Sequence, residues 1–279
     1  MVSRRAARLI VVALACVIAL QWQNELHAHG VTLKIHHFLP ADSAFHTRFL
    51  LPWKEKLEKE SDGHLRIQAY PAMQLGGNPS QLYDQAKDRT VDIVWTAVAY
   101  DAWRFPAFEV FNLPLMTHSA KGSSRALWQY VQTHNLTRKE FAGVRLLAVR
   151  VSPAGSGDKE QTLPEGDMNP PLLHWNVFVL AMNADAYKSL PDELKTVISA
   201  NSGAETSAWL GKIFDDRQVG TTHSADGRGG AQAAEVALRQ QRDQSSIENR
   251  IRELDRRGLD GKELVDSARA LLAEYDPPK

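Results

Sequence analysis

Thiol chemistry is almost absent from these 279 residues, whose single cysteine, Cys16, lies inside an N-terminal apolar run. Disulfides, thiolate catalysis and cysteine-based metal sites are therefore excluded from the rest of the chain. Net charge is lacking as well, since Lys plus Arg and Asp plus Glu both number 33. A neutral chain offers no electrostatic footprint for nucleic acid or anionic lipid, so whatever it binds is small and locally recognised. Outside residues 9–20 no apolar run approaches the ~20 residues that a membrane-spanning helix needs. Catalytic and phosphate-binding signatures are missing too. Gly76-Gly77 and Gly229-Gly230 lack the lysine and hydroxyl residue of a phosphate loop. Gly155-Ser156-Gly157 has Ala154 where a nucleophile elbow needs glycine.

What is present begins with Arg4, Arg5 and Arg8, then the apolar run, then polar Gln21, Gln23, Asn24 and Glu25. That is a secretory leader, expected over residues 1–28 and cut near Ala28, leaving no stable membrane insertion afterwards. Ala13, Val17 and Ile18 around Cys16 argue against a lipoprotein. The protein is thus expected to be exported.

From Val31 the pattern alternates strands and helices. Val31, Leu33 and Ile35 have the period of a half-buried strand, and Phe45, Phe49, Trp53 and Leu57 repeat at the spacing of a helix face. Pro52 falls inside that helix and should kink or break it. Leu65, Ile67 and Ala69 form a second strand, and Asn78-Pro79 opens a helix as N-cap and first residue. A third strand runs over residues 91–96. A helix capped by Ser123 or Ser124 and a strand over residues 144–151 complete a first α/β lobe, residues 31–151, with a largely parallel sheet. Residues 152–171 are polar, rich in Gly and Pro, and read as an irregular linker. Residues 172–217 resume with an apolar strand and one long helix through Leu194, Ile198, Leu210 and Phe214. Residues 218–246 lose their large apolar side chains and are expected to be poorly ordered. Residues 247–275 form two last helices, the second capped by Asp260 with Glu263 three residues on.

Several ordered segments resemble one family. His37-Phe38-Leu39-Pro40, Tyr70-Pro71-Ala72-Met73-Gln74-Leu75-Gly76, Thr90-Val91-Asp92-Ile93 and Phe111-Asn112-Leu113-Pro114-Leu115 resemble the first lobe of substrate-binding subunits of tripartite ATP-independent periplasmic (TRAP) transporters. Met182-Asn183, the run from Tyr187 to Leu194, and Gly258-Leu259-Asp260-Gly261 resemble its later elements. The resemblance implies an α/β fold of the periplasmic-binding-protein type. Two α/β lobes with a long connecting helix would close over a carboxylate, the second lobe being truncated here. It also implies the periplasm as location, a small organic acid as ligand, the membrane subunits of a TRAP transporter as partner, and no cofactor and no catalysis. By the flanking motifs, ligand-binding positions fall at Phe38, Asn78, Trp95, Thr96 and Ala97, with Tyr100 close by and Asn176 where the family can place an amide. Sialic-acid binders carry polar or acidic groups at several of these positions, so a smaller, more apolar carboxylate fits better. The arginine with which the family usually grips its carboxylate would lie in the missing segment, and Arg150 or Arg104 could stand in for it.

Rival readings are a degenerate, partly folded relative that binds little, and a secreted hydrolase, for which no nucleophile, base and oxyanion set can be assembled. His36-His37 with His46, and His27 with His29, are not a metal site. Adjacent strand residues point to opposite faces, and no carboxylate or cysteine completes the set.

Overall fold

A computed structural model of the chain describes residues 30–114, 117–153, 175–218 and 229–278. The expected leader therefore lies outside the described residues, as does the linker expected over 152–171 apart from Ser152 and Pro153, which end a strand instead. Strand β1 is Val31–His37, followed by a π-helical segment, Phe45–Leu50, that runs directly into helix α1, Leu51–Glu60. The interruption expected at Pro52 takes this form. Pro52 sits in the first turn of α1, where its missing N–H costs nothing, and the wider turn lies just upstream. Phe45, Phe49, Trp53 and Leu57 nevertheless share one buried face.

Strand β2, Leu65–Tyr70, leads to the loop ending at Asn78. Its side chain accepts from Ser80 N while Gln81 reaches back to Asn78 N, a complete capping box that starts a short 3-10 turn and helix α2, Leu82–Lys87. Strand β3 is Ile93–Ala97, helix α3 Ala120–Thr133, helix α4 Leu136–Lys139 and strand β4 Val144–Pro153. Strand β5, Trp175–Asn183, is followed by α5, Ala184–Lys188, α6, Asp192–Ala200, and α7, Ala204–Gln218. Helices α8, Gly229–Arg256, and α9, Gly261–Tyr275, follow, with Asp260 capping α9 through Glu263 N.

The strands form one sheet in the order β2-β1-β3-β5-β4. β2 and β3 both run parallel to β1, whereas β5 is antiparallel to β3 and β4 alike. The largely parallel sheet expected for the first lobe is thus mixed. β4 does not lie beside β3, because β5 enters between them. Both outer edges are closed by side chains. On β2, Leu65 N donates to Ser61 Oγ and Ile67 N to Glu58 Oε1; on β4, Val149 N donates to Ser207 Oγ and Val151 N to Ser124 Oγ. Such capping leaves little unpaired backbone to recruit a foreign strand.

Each face of the sheet carries its own core. One packs Val94, Val149, Val179 and Ala181 against Phe105, Phe108, Tyr130 and Phe141, with α9 outside; the other packs Ile35, Ile93, Trp95 and Leu180 against Phe45, Phe49, Leu210 and Phe214.

Three further expectations differ from the structure. The long helix from Leu190 is two helices, broken at Asn201-Ser202-Gly203, where Gly203 takes φ +97° and donates its N–H to Leu147 O. The stretch expected to be poorly ordered over 218–246 is, from Gly229 onward, the first part of the 28-residue α8. The cap of α3 is Ser119 rather than Ser123 or Ser124. Those two lie inside the helix, where Ser124 Oγ bonds Ala120 O and Ser123 Oγ bonds Asp276.

Asp276 sits 4% exposed beyond α9 and accepts from His118 N at 2.5 Å, Ser119 N at 3.1 Å, Ser119 Oγ at 2.6 Å and Ser123 Oγ at 2.9 Å. Asp215 of α7 accepts from Ala120 N and Lys121 N. Two carboxylates thereby satisfy the orphan donors of α3 and complement its dipole, tying α7 and α9 to it. Replacing Asp276 by alanine leaves these donors buried without acceptors and is expected to cost about 3 kcal/mol in urea unfolding. An unchanged midpoint would show the clamp to be idle. Arg89, in the turn before β3, is held at φ +59°. Since the left-handed region costs an L-residue roughly 1–2 kcal/mol, Arg89→Gly is expected to raise the melting temperature; a lower one would contradict that account.

Candidate functional site

β3 ends at Ala97, and the rings that gather beside it come from four separate elements. Trp95 is fully buried, with Phe45 stacked on it at 4.3 Å between centroids and Phe178 of β5 stacked at 5.4 Å. Phe178 is also parallel to Phe38 at 6.5 Å, and Phe38 meets Tyr100 edge-on at 5.7 Å. Of the residues singled out by sequence, Phe38, Trp95 and Tyr100 therefore come together, with Phe178 as the link. Offset and edge-on contacts of this kind are the favoured arrangements of aromatic quadrupoles. Two polar atoms in the array have no hydrogen-bond partner: Trp95 Nε1 and the Tyr100 hydroxyl, which burial pushes up to about 12.

Thr96 points away from Trp95, as strand alternation requires. It is 4% exposed, and its hydroxyl donates to Pro79 O at 3.4 Å, so it meets the Asn78–Pro79 turn rather than the rings. Asn78 is exposed, and its Oδ1 is used in capping Ser80. Asn176 lies in β5 opposite Ser152, and its side chain is outside the description. Trp95 and Thr96 thus support the site from behind instead of facing open solvent.

Arg150 of β4 is 1% exposed. In register it stands opposite Phe178, which stands opposite Ala97, so all three share one level and one face of the sheet. Its guanidinium carbon lies 3.6 Å from the centroid of Phe214, 4.2 Å from Phe178 and 5.6 Å from Trp95. Arg104 is elsewhere, bound to Asp84 at 2.7 Å and Asp101 at 2.9 Å.

Residues 35–155 match the model of the family described as bacterial extracellular solute-binding protein, family 7. A TRAP solute-binding protein from Rhodoferax ferrireducens T118, solved with copurified benzoate, is 31% identical, with 88% of this chain and 98% of that one covered and a TM-score of 0.70. The chain belongs to the TRAP solute-binding proteins. A marine metagenome relative specific for aromatic acid ligands, solved with 3-hydroxybenzoate, is 28% identical over 89% of this chain and all of that one, with a TM-score of 0.75. The outer membrane transporter protein TsaT of Comamonas testosteroni is 26% identical over 148 residues. That match takes in 53% of this chain and 42% of that protein.

For a TRAP solute-binding protein the matched stretch holds Phe38, Asn78, Trp95, Thr96, Tyr100 and Arg150, whereas Phe178 and Asn176 fall beyond it. Sequence reading missed Phe178, because nothing local says that β5 inserts beside β3. Arg150 did carry a signal: a charge inside the apolar run Leu146-Leu147-Ala148-Val149 is rarely buried without purpose.

Behind the rings lies a pair of imidazoles. His37 Nε2 and His46 Nδ1 are 2.9 Å apart, and His37 meets Phe45 edge-on at 5.3 Å. His36 points the other way, to Gln85 at 2.7 Å. Among the described residues no third donor joins them into a metal-binding group. His27 and His29 are outside the description. Burial, reinforced by His46 and His36, holds His37 down at about 3.

Because the folded His37 stays neutral while the unfolded one protonates near 6.5, its stabilisation is full above that pH. It is lost as pH falls from about 6.5 towards 3, at up to ~1.4 kcal/mol per pH unit. Urea unfolding of the wild type is therefore expected to weaken by roughly 2 kcal/mol between pH 6.5 and 5. His37→Gln should flatten that slope, and an equal slope in both proteins would discount the pair.

Proposed function

We propose that this protein captures a small aromatic or similarly apolar carboxylate in the periplasm and presents it to the membrane subunits of a TRAP transporter. The observation that carries the reading is the ring array of Phe38, Tyr100, Phe178 and Trp95 at the C-terminal end of β3. Open α/β sheets accept ligands at their strand ends, and flat apolar walls select flat apolar ligands. The benzoate and 3-hydroxybenzoate held by relatives at 31% and 28% identity support the same ligand class. Tyr100 adds a buried hydroxyl that a ligand acceptor could satisfy.

Export is supported by the leader pattern of residues 1–28, and among the described residues no helix is long and apolar enough to cross a membrane. The reading is of a receptor that binds and releases, without a chemical step. Against the degenerate alternative stands the five-stranded sheet, closed at both edges and cored on both faces.

Melting of the full chain with benzoate, 3-hydroxybenzoate, 2-oxo acids, dicarboxylates and lactate-like acids tests this directly. An aromatic acid at 100 times its Kd should stabilise by about 2.7 kcal/mol and raise the melting temperature, with smaller shifts for the others. A chain that melts cooperatively at one temperature with every acid is not this receptor.

A further inference from the structure

Phe38 meets both Tyr100 and Phe178 in the ring array, yet it stands one residue past the end of its strand. β1 pairs with β2 as far as His36 opposite Tyr70, and with β3 as far as His37 opposite Trp95. The backbone that carries Phe38 is held instead by the turn that follows β2. Ala72 N donates to Leu39 O at 2.8 Å and Met73 N to His37 O at 3.1 Å, so the carbonyls on either side of Phe38 are both engaged. To reach them the chain places Ala72 at φ +49° and Met73 at φ +57°. Two successive L-residues in the left-handed region are costly and persist only where their surroundings over-determine them.

Those surroundings are a closed circuit of hydrogen bonds. Leu75 N donates to His36 Nε2 at 3.3 Å, His36 Nδ1 to Gln85 Oε1 at 2.7 Å, and Gln85 Nε2 to Gly76 O at 3.1 Å. Gly76, the neighbour of Leu75, in turn donates its N–H to Met73 O at 2.8 Å. With Nε2 accepting from a backbone N–H, the imidazole carries its proton on Nδ1, and that fixes which end of the Gln85 amide faces it. His36 is fully buried, and a Cβ at Gly77 would come within 2.8 Å of Gln85 Nε2.

We propose, on the organic-acid reading above, that His36 and Gln85 are positioning residues of the ligand site. They lock the Ala72-Met73 turn, and the turn holds Phe38 in the ring array before any ligand arrives. His36 and the α2 residues around Gln85 pack on the face of the sheet opposite Trp95, so their influence reaches the rings through the turn. A wall set in advance loses less freedom on binding than one that the ligand must order.

Calorimetry of benzoate binding to four full-length proteins, the wild type, Gln85→Leu, Phe38→Leu and the double variant, tests the assignment. Gln85→Leu is expected to weaken benzoate about tenfold with Phe38 present and by less than about twofold in the Phe38→Leu background. A residue that acts through Phe38 has nothing to act on once that ring is gone, whereas a general loosening weakens both backgrounds alike. Equal weakening in the two backgrounds, or none in the first, overturns the assignment and leaves the receptor reading intact. A wild type that binds no benzoate overturns the aromatic-acid reading and the assignment with it. If a variant gives no cooperative melt, or binds too weakly to measure, amide exchange of the unliganded wild type decides. Ala72, Met73 and Leu75 amides that exchange about a hundredfold or more slower than in an open chain support the locked turn, and open-chain rates there overturn it.

Discussion

The antiparallel insertion of β5 between β3 and β4 is the constraint from which both the sheet and the site follow. β5 is hydrogen-bonded on both sides, and Val177 to Met182 are all buried. Its alternating side chains feed both cores: Val177, Val179 and Ala181 to one, Phe178, Leu180 and Met182 to the other. A slip of one residue would turn Phe178 away from Trp95 and move every one of those side chains to the wrong face. Register here is therefore strongly specified, and with it the placing of Arg150 against the rings.

That specification carries a kinetic cost, since the residues of β5 follow those of β3 by about eighty positions and loop-closure entropy must be overcome before their pairing stabilises anything. Until β5 arrives, β3 and β4 present unpaired backbone along the edges it will fill. The outer edges are protected differently, by Ser61, Glu58, Ser207 and Ser124, each supplied by a helix neighbouring its strand in space. The α3 clamp works on the same plan. Gly122 admits Asp276, and Gly211 lets α7 approach the start of α3 so closely that a Cβ there would strike the Ala120 carbonyl. Small residues at those crossings let the carboxylates reach the helix terminus.

What the sequence disclosed was what depends on near neighbours. Asn78 with Gln81, and Asp260 with Glu263, are closed within four residues, so their pattern is their structure. The break at Asn201-Ser202-Gly203 had a signal of the same kind that the apolar periodicity on either side of it obscured. Strand order had none, because pairing across eighty residues leaves no local mark. The choice of Ser119 over Ser123 and Ser124 as cap depends on Asp276, 157 residues away. The site divides along the same line. Phe38, Trp95 and Tyr100, singled out from short motifs, gather in one ring array, while Phe178, which links them, was hidden by topology.

One face of this sheet buries two kinds of potential cation and treats them oppositely. His37 begins with an ordinary value near 6.5, so shedding its proton at neutral pH costs almost nothing, and burial keeps it neutral behind Phe45. Arg150 carries a guanidinium, which does not give up its proton inside a protein whatever its burial. His37 is therefore neutral where the face packs against β1 and α1, and Arg150 keeps its proton where β4 and β5 reach the end of β3. The face is thus sorted by side-chain chemistry rather than by pH: a neutral imidazole packs there as one more flat ring, whereas a guanidinium that keeps its proton is set against the aromatic faces of Phe214 and Phe178.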